Sequence, residues 1–448
     1  MPTTAQRSAW SSRLGFVLAS AGSSVGLGAI WKFPYMAGTN GGSIFMLPMI
    51  AFALTIGLTL LMTEMCLGRA ARGGAGTAFR KFGGSAASIF GVISVLTGTL
   101  VLGFYSVVGG WCTHYLLEAC LGRAVLTDPQ SMRTVFETFS SDAFQPVLCH
   151  TIFLSTTALV VLAGVEKGIE RVGKILMPAL FLLMLVLIVR GLSLPGAWEG
   201  VQFLFQPDPS AFTSESLLNA MGFAFFSLSV GSGSMMNYGS YLSERVSIGP
   251  ATFWIVILAV FASLLGGLMI MPAVFAFGLA PDAGPGLTFA TMPAVFGHLP
   301  FGSFFAVLFF ASLFVAALTS AISILEMAVQ HCVDRYQWVR RKAVLIVSSG
   351  LGIVGILCAL SFGPLGHIKL FGMTLFELLD YLTSNIGMPL GCLGIALVGC
   401  FVAWPVVREE LTRNAHWSPA SLSAFRFFAG VLAPVLILIV AARGLGLF

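Results

Sequence analysis

The sequence predicts an all-α polytopic membrane protein of eleven transmembrane helices. Three observations carry this. Its 448 residues are 57% hydrophobic and only 9% charged, where a soluble domain carries about 25% charged residues. Charge-free windows of about 20 residues, long enough to cross a bilayer, recur along the chain. Two of those windows, five apart, are interrupted at mid-length by glycines and serines. Matching interruptions divide the chain into two five-span halves. Five is odd, so the second half enters from the opposite side, and the repeat is inverted, with one extra C-terminal helix.

The spans are expected at 14–37, 42–67, 87–117, 146–165, 173–191, 215–242, 249–279, 301–332, 343–361, 374–404 and 420–442. The longest imply tilt or helices that continue into the cytoplasm. In span 1, Ala21 to Gly28 holds three glycines and two serines, and each glycine costs a helix about 1 kcal/mol against alanine. Open backbone is excluded from lipid unless it is buried in protein or lines a cavity. A break there therefore marks a site. In span 6, Phe225 to Ser234 repeats the pattern. One glycine-rich helix alone more often means close helix packing; two at corresponding places favour broken helices.

The organisation follows. Residues 1–12 form a cytoplasmic segment, 13–191 the first repeat, 192–214 an extracellular loop, 215–404 the second repeat, and 405–448 a cytoplasmic loop and the last helix. Arg69, Arg72, Arg80, Lys81 and the Arg335–Lys342 cluster fall on one side. Only Arg123, Arg133, Arg190, Lys369 and Arg443 fall on the other. Positive charge stays inside, so the N-terminus is expected in the cytoplasm and the C-terminus outside. Residues 122–145 and 192–214 read as ordinary polar loops. Residues 280–300 are apolar yet punctuated by Pro and Gly, which suits short helices folded back as a lid; a greasy loop is the alternative. Most cysteines lie in or beside spans, and a Cys120–Cys149 disulfide stays open. The N-terminus has no short apolar core with a cleavage site, so no removable signal peptide is expected.

Enzyme chemistry is not expected. His114, His150, His298, His331, His367 and His416 sit near span ends or in loops, with no nucleophile–base pair at depth. A channel would need a continuous polar pore, against which the lid and the charges at both mouths argue. A non-transporting sensor on the same fold remains an alternative.

Trp10 to Phe16, Gly22 to Gly28, Lys32-Phe33-Pro34-Tyr35 and Asn40-Gly41-Gly42 begin a longer pattern. It continues with Trp111, Gly168-Ile169-Glu170-Arg171, Phe226 to Gly233 and Ala316 to Ser320. In order and coverage these resemble the neurotransmitter:sodium symporter family, and its bacterial leucine transporter in particular. The resemblance implies alternating access around spans 1 and 6 and a sodium-coupled substrate, usually an amino acid.

A broken helix frees amides at Leu27 and Gly28, at a half-helix N-terminus suited to an anion. Carbonyls at the opposing helix end suit a cation. The resemblance assigns these to a substrate's carboxylate and amine. It adds Tyr105 at the carboxylate, and the carbonyls of Ser24, Phe226 and Ser227 with the Ser229 hydroxyl at the amine. Gly26 stands where monoamine transporters carry Asp, so the substrate is expected to bring its own carboxylate. Side-chain pocket candidates are Val101, Tyr105, Phe226, Ser229, Ser232, Ser320 and Ile324; plain helix packing is the alternative for each apolar one. Ser232 replaces a bulky aromatic residue of the leucine transporter, which implies a roomier pocket for a larger or aromatic side chain.

Sodium is a hard ion served by oxygen ligands. The family's second sodium site maps to the carbonyls of Gly22, Val25 and Ala316 and the hydroxyls of Thr319 and Ser320. Hydroxyls bonded back to their own helix are the alternative for Thr319 and Ser320. The first sodium site loses its two asparagines, to Ala29 and Leu258. The chloride positions fall on Met49, Phe223 and Ala262. One Na⁺ and no chloride are expected. One ion suffices: about 2.3 kcal/mol per 100 mV and about 1.4 kcal/mol per tenfold gradient together support roughly 500-fold accumulation of a neutral solute.

Lys32 and Asp380 match the outer gate pair, with Lys in place of Arg; Lys lacks the planar fork, so a looser gate is expected. Phe226 and Tyr105 close beneath it. Arg7 and Asp334 match the inner gate, with Trp10 and Tyr241 beside them; a solvated pair worth about 0–1 kcal/mol is the alternative. Glu64 is implied to bond the unwound amides of span 6. Gly168 and Pro178 are linked to unwinding of span 5, which opens a path for sodium, although an ordinary proline kink also fits. The expected function is sodium-coupled import of a hydrophobic or aromatic amino acid across a plasma membrane, with a small-molecule substrate and the bilayer as partners, no nucleic acid, and a monomer sufficient. The alternative is a small aromatic or amine-like solute with proton, weak or no sodium coupling.

Overall fold

The computed structural model describes residues 9–279, 281 and 287–446. Among them, nine helices are long and apolar enough to cross a membrane. A tenth crossing is a pair, Arg13–Ser24 and Gly28–Thr39, bent by 48°. A second interrupted pair, Ser214–Ser227 and Ser234–Ser240, occupies the place of the sixth expected span. Each of the eleven expected windows thus holds a helix or a helix pair. The described residues form no sheet beyond one isolated bridge, Leu370 with Met373.

The breaks have local causes. The first half of span 1 is capped by Ser12, whose hydroxyl accepts from Gly15 N–H. It ends at Val25, whose N–H closes on Ala21 O at 2.7 Å. The chain resumes as a wide turn, Gly28–Lys32, with Pro34 early in the next helix. In span 6 the break is sharper. Ser229 (φ 54°), Gly231 (φ 87°) and Gly233 (φ 81°) are all left-handed. Glycine adopts that region freely; serine does so at a cost. Ser229 is therefore a strained residue held by its surroundings.

Glycine also sets the packing. A side chain on Gly68 would strike Met236 O, and one on Gly239 would lie 2.8 Å from Met65 O. Span 2 and the inner half of span 6 thus touch backbone to backbone, the close approach that small residues give in membranes. Spans 3 (Ala75–Cys120) and 8 (Gly302–Tyr336) make the most extensive helix contact and form a scaffold with spans 4 and 9. Span 3 is kinked at Gly84 (φ 70°).

Two expected loops prove to contain helices. Pro129–Ser141 starts on Asp128, whose carboxylate accepts from Gln130 and Ser131 N–H. Asp followed by Pro at the first helical position is a helix-start signal that outweighs the segment's polarity. Ala197–Phe205 lies against the start of span 2, where any side chain on Gly42 would meet Phe203 O. Of the expected lid, residues 280 and 282–286 lie outside the described residues. The remainder is two short helical pieces, Leu287–Thr291 and Met292–Gly297. Phe289 plugs them into a ring cluster with Trp31, Trp111, Tyr115, Phe136 and Phe310. Cys120 and Cys149 are both free thiols, so no disulfide joins them.

Glu64 secures the second break. It is fully buried, and its carboxylate accepts from Gly231 N–H at 3.4 Å and Met236 N–H at 3.1 Å. Removing it strands buried donors, each worth about 1–3 kcal/mol. Glu64→Ala should therefore lower the melting temperature in detergent well below that of Glu64→Gln, which keeps one acceptor; equal melts would show that the amides find other partners.

Candidate functional site

The two breaks face each other across a small chamber of about 50 Å³. Its wall holds Ser24, Gly26, Gly28, Val101, Tyr105, Phe226, Ser227, Ser229, Ser232, Ser320 and Ile324. Leu27 is the one substrate-site candidate off the wall; its N–H donates to Tyr105 Oη at 3.1 Å. Ser23, Gly98 and Met388 also line the chamber and escaped the sequence reading. Ser23 adjoins a recognised candidate, and Gly98 lies one turn before Val101. Met388 comes from span 10 and carried no signal.

Hydroxyls stitch the breaks together. Ser229 Oγ donates to Ser23 O at 3.2 Å, and Ser320 Oγ to Ser23 O at 2.8 Å. Ser232 Oγ donates to Ser229 O at 2.8 Å, which ties down the strained residue. Gly26 has no room for a side chain. A Cβ would collide with Ser320 Oγ and lie 2.8 Å from Tyr105 Oη. The floor of the chamber is therefore backbone, with no fixed negative charge.

Spans 1 and 8 meet at Gly22 and Thr319, where a Cβ on glycine would stand 3.1 Å from Thr319 Cβ. Ser320 Oγ lies 3.1 Å from Gly22 O, and Thr319 Oγ1 lies 3.1 Å from both Val315 O and Ala316 O. Val25 terminates its helix, so its carbonyl belongs to the set lacking an onward helical donor. Gly22, Val25, Ala316, Thr319 and Ser320 thus present oxygens only, the donor set of a hard monovalent cation. In this structure Thr319 bonds back to its own helix. Among the described residues no cluster of His, Cys, Asp or Glu offers a transition-metal site.

The positions that the resemblance relates to a first sodium and a chloride carry no side-chain oxygen at Ala29, Leu258, Met49, Phe223 and Ala262. Ala29 is fully buried, and its carbonyl backs onto Gly266 of span 7. Leu258 is partly buried, and Ser227 Oγ turns to Ala224 O at 3.1 Å. Met49, Phe223 and Ala262 are buried too; Phe223 packs on Phe33 and Phe45 with centroids 5.8 and 5.6 Å away.

The outer gate departs from expectation. Lys32 and Asp380 form no ion pair among the described residues. Lys32 Nζ sits 4.2 Å from the Phe226 ring centroid, and Asp380 accepts from Ser384 at 3.0 Å. A point charge on a flexible stem is not held by a carboxylate's geometry as a guanidinium is, and an aromatic face offers it a competing partner.

The side on which the N-terminal segment lies is shut. Trp10 is buried, donates to Tyr238 O at 3.1 Å, and stacks edgewise on Tyr238 and Tyr241. Tyr241 Oη donates to Glu326 at 2.7 Å, which pairs with Arg340 at 2.5 Å. Arg7 lies outside the described residues; Asp334 accepts from Gln330 at 2.7 Å. The latch missed in the sequence is Glu170. Buried at the start of span 5, it accepts from Ser11 N–H (2.8 Å), Ser11 Oγ (2.6 Å) and Ser12 Oγ (2.9 Å), and pairs with Lys174 (2.7 Å). Span 5 is wound here: Gly168 N–H bonds Gly164 O at 3.1 Å, and Pro178 lies inside a continuous helix. A void of about 10 Å³ separates Ile169, Val172 and Gly173 from Gly22 and Thr319.

Paired interrupted helices around a small chamber, shut on the side of the N-terminal segment, define a secondary transporter of the membrane. The chain belongs to the sodium:neurotransmitter symporter family, whose profile matches residues 7–127 and 143–445. It is thus a sodium-coupled transporter. It is 40% identical over 445 residues to the uncharacterized sodium-dependent transporter YhdH of Bacillus subtilis, covering 98% of each chain. It is 28% identical to the human sodium- and chloride-dependent taurine transporter, covering 89% of this chain and 71% of that one. The crystal structure of MhsT in complex with L-phenylalanine superposes with a TM-score of 0.89 at 36% identity, over 97% of this chain and 99% of that one.

If Glu170 holds the N-terminal segment shut, Glu170→Ala should raise amide exchange over residues 11–16 by about tenfold or more, given the worth of charge-assisted hydrogen bonds. Unchanged protection would assign the closure to Trp10 alone.

Proposed function

We propose that the protein imports a hydrophobic or aromatic amino acid with one sodium ion and without chloride. The observation that carries this is Gly26. Its place leaves no room for an acidic side chain, so the substrate supplies the carboxylate that faces Tyr105 and the Leu27–Gly28 backbone. Tyr105 Oη accepts from Leu27, which leaves its proton to donate to that carboxylate. The amine faces the carbonyl ends around Ser24, Phe226 and Ser227.

Carbon at Ala29 and Leu258 supports a single sodium, held by the oxygens of Gly22, Val25, Ala316, Thr319 and Ser320. Thr319 and Ser320 turn their hydroxyl oxygens from carbonyls to the ion. The buried Phe33–Phe45–Phe223 cluster supports chloride independence, although the taurine relative is named chloride-dependent. The L-phenylalanine bound to MhsT supports an aromatic substrate. Thr319 bonded to its own helix favours the second reading, a small aromatic solute moved with weak sodium coupling. Substrate enters from outside, where the C-terminus lies; the N-terminus lies in the cytoplasm of a plasma membrane.

Phenylalanine uptake into proteoliposomes separates these readings. Sodium should be required and chloride replaceable by gluconate without effect. Thr319→Val, which removes one ligand, should raise the sodium concentration for half-maximal uptake by about tenfold. Equal uptake in sodium and potassium would favour the second reading.

A further inference from the structure

The chamber is too small for the side chain proposed. A benzene ring occupies an apolar cavity of about 150 Å³, and the chamber has about 50 Å³. One wall must move. Val101 and Ile324 are β-branched and stiff. Tyr105 is fixed by Leu27. Phe226 is held between Lys32 and the bare backbone of Gly28, where a Cβ would stand 3.1 Å from its ring. Met388 is different. Methionine is unbranched, with three rotatable bonds, and adapts to irregular space.

Span 10 reaches the chamber only because span 6 is broken opposite it. A Cβ on Gly231 would lie 2.6 Å from Met388 O and 2.7 Å from Cys392 Sγ, and Cys392 Sγ donates to Val230 O at 3.4 Å. This contact brings Met388 to the chamber wall. Behind Met388 lies a second cavity of about 260 Å³ between spans 1, 6, 10 and 11, which Met388 and Phe226 border from the other side. Met388 therefore stands between a cramped chamber and open space.

We propose that Met388 is a movable partition that swings into the outer cavity to admit an aromatic side chain, and so sets the size limit of the substrate. The inference rests on the amino-acid reading above. Its test is a size series. Competition by alanine, leucine, phenylalanine and tryptophan is measured against sodium-driven uptake in the unaltered protein and in Met388→Ile and Met388→Ala. Isoleucine keeps the bulk and removes the flexibility. It should lower the tryptophan-to-alanine affinity ratio by about tenfold or more, the scale of steric discrimination in an apolar pocket. Alanine should leave that ratio unchanged or raise it. Equal shifts for every side chain, or a ratio that falls as far in Met388→Ala as in Met388→Ile, overturn the partition. If the unaltered protein takes up none of the four, the amino-acid reading fails separately. The same variants are then melted with benzoate, phenylacetate and phenethylamine. A stabilisation by these phenyl compounds that is lost in Met388→Ile and kept in Met388→Ala retains the partition, and an equal response in both variants removes it.

Discussion

Unpaired backbone cannot rest in lipid, and this constraint organises the molecule. Spans 1 and 6 each surrender helical hydrogen bonds at mid-depth, where no bulk water compensates. Neighbours take up part of the debt of partners. Glu64 receives Gly231 and Met236, Tyr105 receives Leu27, and Ser320 and Ser229 donate to Ser23 O. The groups left over are those a carboxylate, an amine and a sodium ion would complete. Binding sites here are what remains after the protein has satisfied the rest of its broken helices.

The same logic connects the site to the inner closure. The oxygens of Gly22 and Thr319 lie one small void from Ile169 and Gly173 of span 5. The residue after Ile169 is Glu170, which clasps Ser11 and Ser12 at the start of span 1. A side chain on Gly15 would collide with that carboxylate. The segment that Gly168 and Pro178 bracket is therefore tied both to the proposed sodium site and to the N-terminal latch. Unwinding it would disturb both at once.

Glycine and serine made the breaks legible, because their cost in a helix is a local property. Carbon at Ala29, Leu258 and Phe223 was legible for the same reason: identity alone decides whether an oxygen is present. What escaped depends on geometry between elements. Met388 reaches the chamber only through the contact of span 10 with Gly231. Glu170 stands in a recognised motif, yet its partners are some 160 positions away. Lys32 was paired with Asp380 by correspondence of position, whereas the Phe226 ring lies within its reach. The helices at 129–141 and 197–205 were hidden by polarity in the first and brevity in the second.

The central claim is that one sodium position is kept and its neighbour is filled with carbon. Charge per substrate measures this directly. Proteoliposomes are loaded with a tenfold phenylalanine gradient at equal sodium on both sides, and the membrane potential that stops net flux is found. One sodium per neutral amino acid requires about 59 mV, the potential equivalent to a tenfold ratio for one charge. A null potential near half that value would mean two ions per cycle and would contradict the account.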